Sequence, residues 1–160
     1  MSRETALRLA TVSDAFQIAV ISRDVIETGL GWSWTPPRVL RSIRCPDTTV
    51  LVADAGPQVI GFAIMHFGEE EAHLNLLAVR QTHQRAGVGR RLIEWLEASA
   101  LVAGISVIYL EVRATNRGAQ TFYEKLGYRK IGHIPGYYSG RESALYMARD
   151  LLCSTSTRAT

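Results

Sequence analysis

A short glycine- and arginine-rich segment, Gln84–Arg90 (QRAGVGR), contains residue types that suit the binding of an anion. The apolar stretch before it predicts a strand, and the amphipathic stretch after it predicts a helix that begins near Val88. The first turn of a helix leaves about four backbone N–H groups without intrahelical acceptors and carries the positive end of the helix dipole. Gly87 and Gly89 let a ligand approach the backbone closely, and the arginines add positive charge. The segment therefore predicts a phosphate or pyrophosphate site.

Two common nucleotide-binding motifs do not fit this segment. A dinucleotide-binding fingerprint needs a third glycine, but the residue three positions after Gly89 is Leu92, and the acidic residue expected about 20 positions later is not evident. A P-loop needs Gly-Lys followed by Ser or Thr, which is absent. The pattern that fits is Gln/Arg-x-x-Gly-x-Gly/Ala, supplied by Gln84, Gly87 and Gly89.

Alternating strand and helix signals surround the loop. Their order, β-α-α-β-β-β-α-β-α-β-β, predicts an α+β fold in layers around a mixed sheet. The expected helices cover residues 13–27, 36–45, 88–103 and 117–126. The expected strands cover residues 7–10, 48–53, 59–67, 72–79, 106–112, 128–134 and 144–148, with a loop at 135–140.

Local signals mark the ends of several helices. Thr35 is a candidate N-cap followed by prolines at the first helical positions. Asn116 is a candidate cap for the helix that follows the strand at 106–112. In the helix after the glycine loop, the 3.6-residue period places four residues on the packed face. These are Leu92, Trp95, Leu96 and Ser99.

Composition limits the function classes. The chain has 160 residues, a formal net charge of +3 and no run of five basic residues, so a nucleic-acid surface is not required. Cys45 and Cys153 are far apart, which favours free thiols, and the histidines show no metal-ligand spacing. No apolar run reaches the length of a membrane span. We expect one cytoplasmic domain over residues 1–152, a polar, disordered tail at 153–160, and a monomer or homodimer without metal or membrane partners.

From Leu74 to Asp150 the sequence resembles the GNAT superfamily of acetyl-CoA-dependent N-acetyltransferases. The loop pattern is one mark, and Asn116 followed by FYEKLGY (residues 122–128) is a second. The resemblance implies a six- to seven-stranded, mostly antiparallel sheet that splays between its fourth and fifth strands, with helices on both faces. It also implies that acetyl-CoA is bound by the strand end, the loop and the next helix start. Those residues are Leu77, Ala78, Val79, Gln84, Arg85, Ala86, Gly87, Val88, Gly89, Arg90, Asn116 and Ala119.

Two further segments, LEVRATN (residues 110–116) and YYSGRESALYM (residues 137–147), are similar to bacterial ribosomal-protein-alanine N-acetyltransferases. This similarity implies that Glu111 is the general base, that Tyr123 is the general acid, and that Tyr137 and Tyr138 form part of a peptide slot. The acceptor would be a peptide or protein N-terminal amine. A small-molecule amine acceptor and a non-catalytic acetyl-CoA sensor are the alternatives.

Several side chains have a structural interpretation as well. Glu111 could pair with an arginine, Tyr123 could fill the core, and His73 is an alternative base. The segment between the first two helices departs from the family pattern and contains Trp32 and Trp34. These tryptophans could pack between helices or form a wall of the acceptor site.

Overall fold

A computed structural model describes residues 5–152, so the tail at 153–160 and its Cys153 lie outside the described residues. The helices are α1 (Ala15–Ile21), α2 (Pro36–Arg44), α3 (Val88–Val102) and α4 (Arg117–Lys125). The strands are β1 (Thr5–Leu9), β2 (Thr48–Ala55), β3 (Gln58–Phe67), β4 (Glu71–Val79), β5 (Val107–Arg113), β6 (Arg129–Tyr138) and β7 (Glu142–Asp150). A π-helical turn, Ser22–Ile26, extends α1. No helix in this part of the chain is long and apolar enough to cross a membrane.

The seven strands pair in the order β1-β2-β3-β4-β5-β7-β6, which confirms the predicted mixed, mostly antiparallel sheet. The pair β4–β5 is parallel, with a ladder from Glu71 opposite Val107 to His73 opposite Tyr109. The next pair, β5–β7, is antiparallel and places Glu111 opposite Tyr146. β5 thus has a neighbour on each side.

The chain forms two compact units, and β4 and α3 each contribute to both. The first comprises residues 1–66 and 75–96. In its core, α1 and α2 pack on β2, β3 and the end of β4 through fully buried side chains such as Ile18, Val39, Val52, Phe62 and Ile64. Thr35 occupies the N-cap position of α2 and Pro36 begins the helix, as expected. The expectation of a single domain stays a prediction.

The second unit comprises residues 67–74 and 97–160. Its strand β5 alternates, with Ile108, Leu110 and Val112 buried and the intervening side chains half-exposed. Glu97, a buried carboxylate on α3, accepts a hydrogen bond from the Tyr128 hydroxyl at 3.0 Å and pairs with Arg149 at 2.6 Å. The sequence alone does not predict this buried polar cluster.

Two sequence predictions need correction. Trp95 does not belong to the packed face of α3, because it is 40% exposed; Leu92, Ile93, Leu96 and Ala100 form the buried stripe. The predicted loop at 135–140 is mostly strand, since β6 continues to Tyr138 and only a tight turn separates it from β7. Pro135 is compatible with this strand because β6 lies at the sheet edge and its pairing with β7 is irregular between Ile134 and Tyr138.

Acid should weaken the first unit through Asp14, whose carboxylate pairs with Arg8 at 2.8 Å and accepts a hydrogen bond from the Thr11 N–H at 2.7 Å. The hydrogen bond from Arg8 lowers the pKa of Asp14 below its usual 3.8. A carboxyl group with a depressed folded-state pKa stabilises the fold above its unfolded pKa, and this stabilisation is lost as the pH falls through the folded value. We expect the free energy of unfolding, measured with urea, to decrease as the pH is lowered under 4. This decrease should be less steep in Asp14→Asn than in the wild type. The exposed Asp47→Asn control should keep the wild-type slope.

Candidate functional site

The glycine loop, Gln84–Arg90, lies in the first unit and leads into α3 at Val88, as predicted. Gly87 has a φ of +81° and Arg85 a φ of +65°, so the backbone turns sharply before the helix. The N–H of Arg91 donates to the carbonyl of Gly87 at 3.1 Å, the first bond of the helical ladder. By helix geometry, the N–H groups of Val88, Gly89 and Arg90 precede that ladder and are oriented toward the loop. This arrangement suits an anion.

Two of the loop's polar side chains, Gln84 and Arg90, already have protein partners. The Gln84 amide donates to the carbonyl of Val79 at 2.9 Å, which ties the loop to the end of β4. Arg90 pairs with Glu94 one turn further along α3 at 2.7 Å, and both side chains are more than half exposed. Arg85 and Ala86 are exposed. The backbone N–H groups are therefore the better-defined candidates for anion binding in the loop, and the side-chain contacts predicted for it stay predictions.

Gly61 on β3 supports this loop, and the sequence analysis missed it. A Cβ at position 61 would lie 3.1 Å from the carbonyl oxygen of Ala78 and within 3.5 Å of the Val79 and Val88 side chains. Ala78 and Val88 are buried, whereas Leu77 and Val79 are half-exposed. The small residue at 61 thus allows the end of β4 and the start of α3 to pack closely.

Gly61→Val should displace the start of α3 and weaken ligand binding at the loop. Overpacking a tight contact typically costs about 1–3 kcal/mol. We expect a loss of stability of that size in urea unfolding and a several-fold higher dissociation constant for coenzyme A in isothermal titration calorimetry. The Gly31→Ala variant is the control, because a Cβ there meets nothing within 4 Å. Unchanged coenzyme A affinity in a folded Gly61→Val protein would contradict the supporting role.

In the second unit, Asn116 caps α4 as predicted, because its side-chain oxygen accepts the N–H of Ala119 at 3.0 Å. The buried Gln120 donates to the carbonyl oxygens of Arg113 and Ala114, which fixes the turn between β5 and α4. Asn116 is exposed and Ala119 half-exposed. Contact of either with a cofactor stays a prediction.

The structure brings Glu111 and His73 together, although they are 38 residues apart in the sequence. The Oε2 of Glu111 lies 2.6 Å from the Nε2 of His73. The Glu111 side chain is 14% exposed and that of His73 is 35% exposed. From the sequence, these residues are alternative bases; in the structure, they form a hydrogen-bonded pair.

Tyrosines surround this pair. Tyr146 lies opposite Glu111 in the ladder and stacks on Tyr109, with ring centroids 5.3 Å apart. Burial, followed by the nearby Glu111 carboxylate, raises the pKa of Tyr146. Burial, followed by the neighbouring Tyr137 and then Glu111, raises the pKa of Tyr138. The carboxylate therefore lies among neutral phenols.

Tyr123 lies on the buried face of α4 and packs edge-on against Phe122 and Tyr128. Burial, with a smaller effect of Tyr138, raises its pKa, so the phenol keeps its proton at neutral pH. A protonated hydroxyl is the form that a general acid requires. The ring contacts agree with the core-filling interpretation, and the general-acid role stays a prediction.

Tyr137 and Tyr138 form the end of β6, with perpendicular rings 4.8 Å apart. Tyr137 is 46% exposed, so part of its ring surface faces solvent. The Arg113 guanidinium lies 5.9 Å from the Tyr138 ring centroid and 3.4 Å from a Glu142 carboxylate oxygen. Arg113 thus pairs with Glu142, and the carboxylate of Glu111 bonds His73.

Trp32 and Trp34 belong to the first unit. The indole N–H of Trp32 donates to the carbonyl of Ala19 at 3.1 Å, and Trp34 packs against the core beneath the Arg38 guanidinium. The buried Glu27 accepts hydrogen bonds from Ser22, Ser33 and the Trp34 N–H, which the sequence analysis did not anticipate. These are the contacts of the packing interpretation, and the acceptor-wall role stays a prediction.

The family profile described as "Acetyltransferase (GNAT) family" matches residues 19–128, more than half of the chain. The chain belongs to the GNAT acetyltransferase family. The matched region includes the glycine loop, Glu111, Asn116 and Tyr123. It ends before Tyr137 and Tyr138, which therefore rest on the narrower resemblance alone.

Individual GNAT relatives agree with this assignment. The chain is 38% identical over 94 residues to the Escherichia coli [ribosomal protein bS18]-alanine N-acetyltransferase, a match that covers 57% of this chain and 64% of that relative. It is 27% identical to an N-alpha-acetyltransferase of Sulfolobus acidocaldarius, covering 91% of this chain and 92% of the relative. The crystal structure of Ard1 from Thermoplasma volcanium matches with a TM-score of 0.81 at 26% identity, covering 91% and 97% of the two chains. Less than two-thirds of the Escherichia coli relative is thus spanned.

Proposed function

We propose that this protein transfers the acetyl group of acetyl-CoA to a primary amine, the α-amine at the N-terminus of a peptide or protein. The observation that carries the proposal is the GNAT family match, which includes both the glycine loop and Glu111. Two relatives whose names specify acetylation of an alanine or an α-amine support this choice of acceptor.

The proposed acetyl-CoA contacts are mainly backbone groups. The N–H groups at the start of α3, with Arg85 and Arg90 nearby, would hold the pyrophosphate, since a helix N-terminus favours negative charge. The strand residues Leu77, Ala78 and Val79 would bond the pantetheine arm, and Asn116 and Ala119 would add contacts from α4. The positive φ of Gly87 lets the backbone turn sharply just before α3. The small residue at 61 lets the end of β4 and the start of α3 pack closely beside the loop.

The proposed reaction is a direct attack of the amine nitrogen on the thioester carbon. The C–N bond forms as the C–S bond breaks; the amine loses a proton to Glu111, directly or through water, and the thiolate gains one from Tyr123. An α-amine has a pKa of about 7.7–8.0 against about 10.4 for lysine, so more of it is neutral at pH 7. Positioning of the two substrates and general acid–base catalysis by these side chains would together supply the rate acceleration.

The proposed acceptor contacts are Tyr137 and Tyr138 at the end of β6 and Trp32 and Trp34 in the first unit. Tyr137 and Trp32 are 46% and 39% exposed, so both aromatic rings offer surface to a ligand. Aromatic rings of this kind bind extended peptides and cationic amines well.

An acceptor panel tests the proposal. The purified protein is mixed with acetyl-CoA and with peptides that differ only in their first residue, each in a free and an N-acetylated form. Spermidine, free amino acids and an aminoglycoside are included as small amines. We expect thiol release and a mass gain of one acetyl group for free N-termini only. Transfer confined to small amines would contradict the proposal that the acceptor is a peptide N-terminus. Absence of transfer to every amine would contradict the proposal that the protein is an acetyltransferase.

Tyr123→Phe separates the catalytic role of this tyrosine from its packing role. The variant keeps the ring contacts with Phe122 and Tyr128 and removes only the hydroxyl. We expect kcat to fall about 100-fold, within the range for loss of a general acid, at unchanged thermal stability. The matched Tyr137→Phe variant should change the KM for the peptide more than kcat. An unchanged kcat in Tyr123→Phe would leave only the packing role.

A further inference from the structure

The contact between His73 and Glu111 distinguishes the two oxygens of the carboxylate. Ionised carboxylate oxygens only accept hydrogen bonds, so a neutral His73 in this contact must carry its proton on Nε2. The 2.6 Å distance from that nitrogen to Oε2 of Glu111 is short, as expected for a charge-assisted hydrogen bond. The second oxygen, Oε1, is left for another proton donor.

The register of the sheet holds this contact in place. His73 lies opposite Tyr109 in the parallel β4–β5 ladder, and Glu111 follows two residues later on the same face of β5. Each side chain projects from a hydrogen-bonded strand, so the pair is arranged before any substrate binds. A preorganised second group that orients a catalytic side chain is a recurrent feature of acid–base catalysis.

Other ionisable groups lie around the pair on each neighbouring strand. Burial raises the pKa of the ladder partner Tyr146 and of the more distant Tyr138, and the Glu111 carboxylate raises both further. Both phenols are therefore neutral at neutral pH, and neither is a second base beside Glu111. Arg113 pairs with Glu142 on β7. The ionisable groups that lie around the His73–Glu111 pair are Glu71 on β4, Tyr109 and Arg113 on β5, Tyr137 and Tyr138 on β6, and Glu142 and Tyr146 on β7.

We infer that His73 is a positioning residue for Glu111 and makes its basicity depend on pH, an inference that rests on the proposed function. The neutral imidazole donates Nε2–H to Oε2, and Oε1 accepts the proton that the attacking amine loses. When the pH falls, the ring takes a second proton on Nδ1, and the resulting imidazolium stabilises the ionised carboxylate. A carboxylate beside a positive charge is a weaker base, so turnover decreases. Because the two groups are coupled, their contribution to the acid limb of the rate profile belongs to the pair, and protonation of the substrate amine adds a second contribution that is the same in every variant.

Two substitutions of His73 separate the hydrogen bond from the charge. His73→Gln places an amide N–H near the position of Nε2 but cannot be protonated. We expect its kcat at pH 8.5 to lie within about threefold of the wild type, with the acid limb of kcat moved to lower pH. His73→Phe removes the donor, and we expect kcat to fall about tenfold at every pH. Acetyl-CoA affinity should be unchanged in both variants.

The control is His133→Gln, which alters an exposed histidine on β6 in the same unit. It should reproduce the wild-type profile. An acid limb in His73→Gln that coincides with that of the wild type would overturn the pH dependence. Equal losses of kcat in both His73 variants, with no movement of the limb, would overturn the positioning role and leave a structural one.

A spectroscopic measurement tests the pair without turnover. The imidazole of His73 is titrated by NMR in the full chain and in Glu111→Gln, with acetyl-CoA absent. We expect the midpoint of the ring titration to move to lower pH in Glu111→Gln, because the carboxylate that favours the imidazolium is gone. An unchanged midpoint would overturn the inference. If the midpoint moves but no acceptor is acetylated, the proposed function fails while the pair stands.

Discussion

Glu111→Gln is expected to lower kcat by about two to three orders of magnitude, the range for loss of a general base. The substitution keeps the size of the side chain and its contact with His73 and removes the basic oxygen. The introduced amide oxygen would still accept a hydrogen bond from the His73 Nε2–H, so the sheet geometry should persist. The loss should appear in kcat and equally in kcat/KM, because only the proton transfer in the transition state is affected.

The measurement is steady-state acetylation of the best peptide from the acceptor panel between pH 6 and 9. Calorimetric titration with coenzyme A should give the wild-type affinity, since the glycine loop is untouched. Glu69→Gln, in the exposed turn before β4, is the matched control and should keep wild-type kcat. If Glu111→Gln turns over at the wild-type rate with the same pH profile, another group is the base.

Local chemistry explains why parts of this fold can be predicted from the sequence. Thr35 at the N-cap and Pro36 in the first turn mark the start of α2. Asn116 marks the start of α4 by accepting a backbone N–H of the first turn. Neither signal depends on distant residues. Gly87 likewise marks a backbone turn that other residues adopt at a cost. The order of strands and helices along the chain and the helix starts follow from such signals, and they place the glycine loop correctly at the start of α3.

Contacts set by strand register are a different matter. Whether His73 reaches Glu111 depends on which residues pair between β4 and β5, and a shift of one residue would turn one side chain to the other face. The alternating burial along each strand places His73 and Glu111 on the less buried face, but the sequence does not distinguish registers that differ by two residues. The same limit applies to Gly61, whose importance comes from Ala78 and Val88 packing against it.

Buried charge is the second feature that the pattern cannot reveal. The helical pattern of α3 predicts that Glu97 lies at the surface and that Trp95 lies in the core. In the structure, Glu97 is only 7% exposed and Trp95 is 40% exposed. The buried stripe runs through Leu92, Leu96 and Ala100, and Glu97 is tolerated beside it because Arg149 and Tyr128 supply its partners. Those partners come from distant parts of the chain, so only the tertiary structure reveals the exchange.

Glu97→Ala is expected to lower the free energy of unfolding by about 3 kcal/mol, the lower end of the range for removing one member of a buried ion pair. The Arg149 guanidinium is 20% exposed and would lose the acceptor that lies 2.6 Å away. Burial and the Glu97 carboxylate raise the pKa of Tyr128, whose hydroxyl would lose its acceptor as well. The Arg149 side chain also packs tightly against Gly127, since a Cβ at position 127 would lie only 3.3 Å from its Nε.

Urea unfolding at pH 7 measures the loss, and the melting temperature should fall by roughly 10 °C in parallel. Glu94→Ala is the matched control one turn earlier on α3; its pair with Arg90 is exposed, and exposed pairs contribute at most about 1 kcal/mol. The double variant Glu97→Met with Arg149→Met should recover part of the stability, since removing both charges also removes the desolvation penalty. Equal losses in Glu97→Ala and Glu94→Ala would mean that the buried cluster contributes no more than a surface pair. A recovery in the double variant would instead identify the uncompensated arginine as the source of the loss.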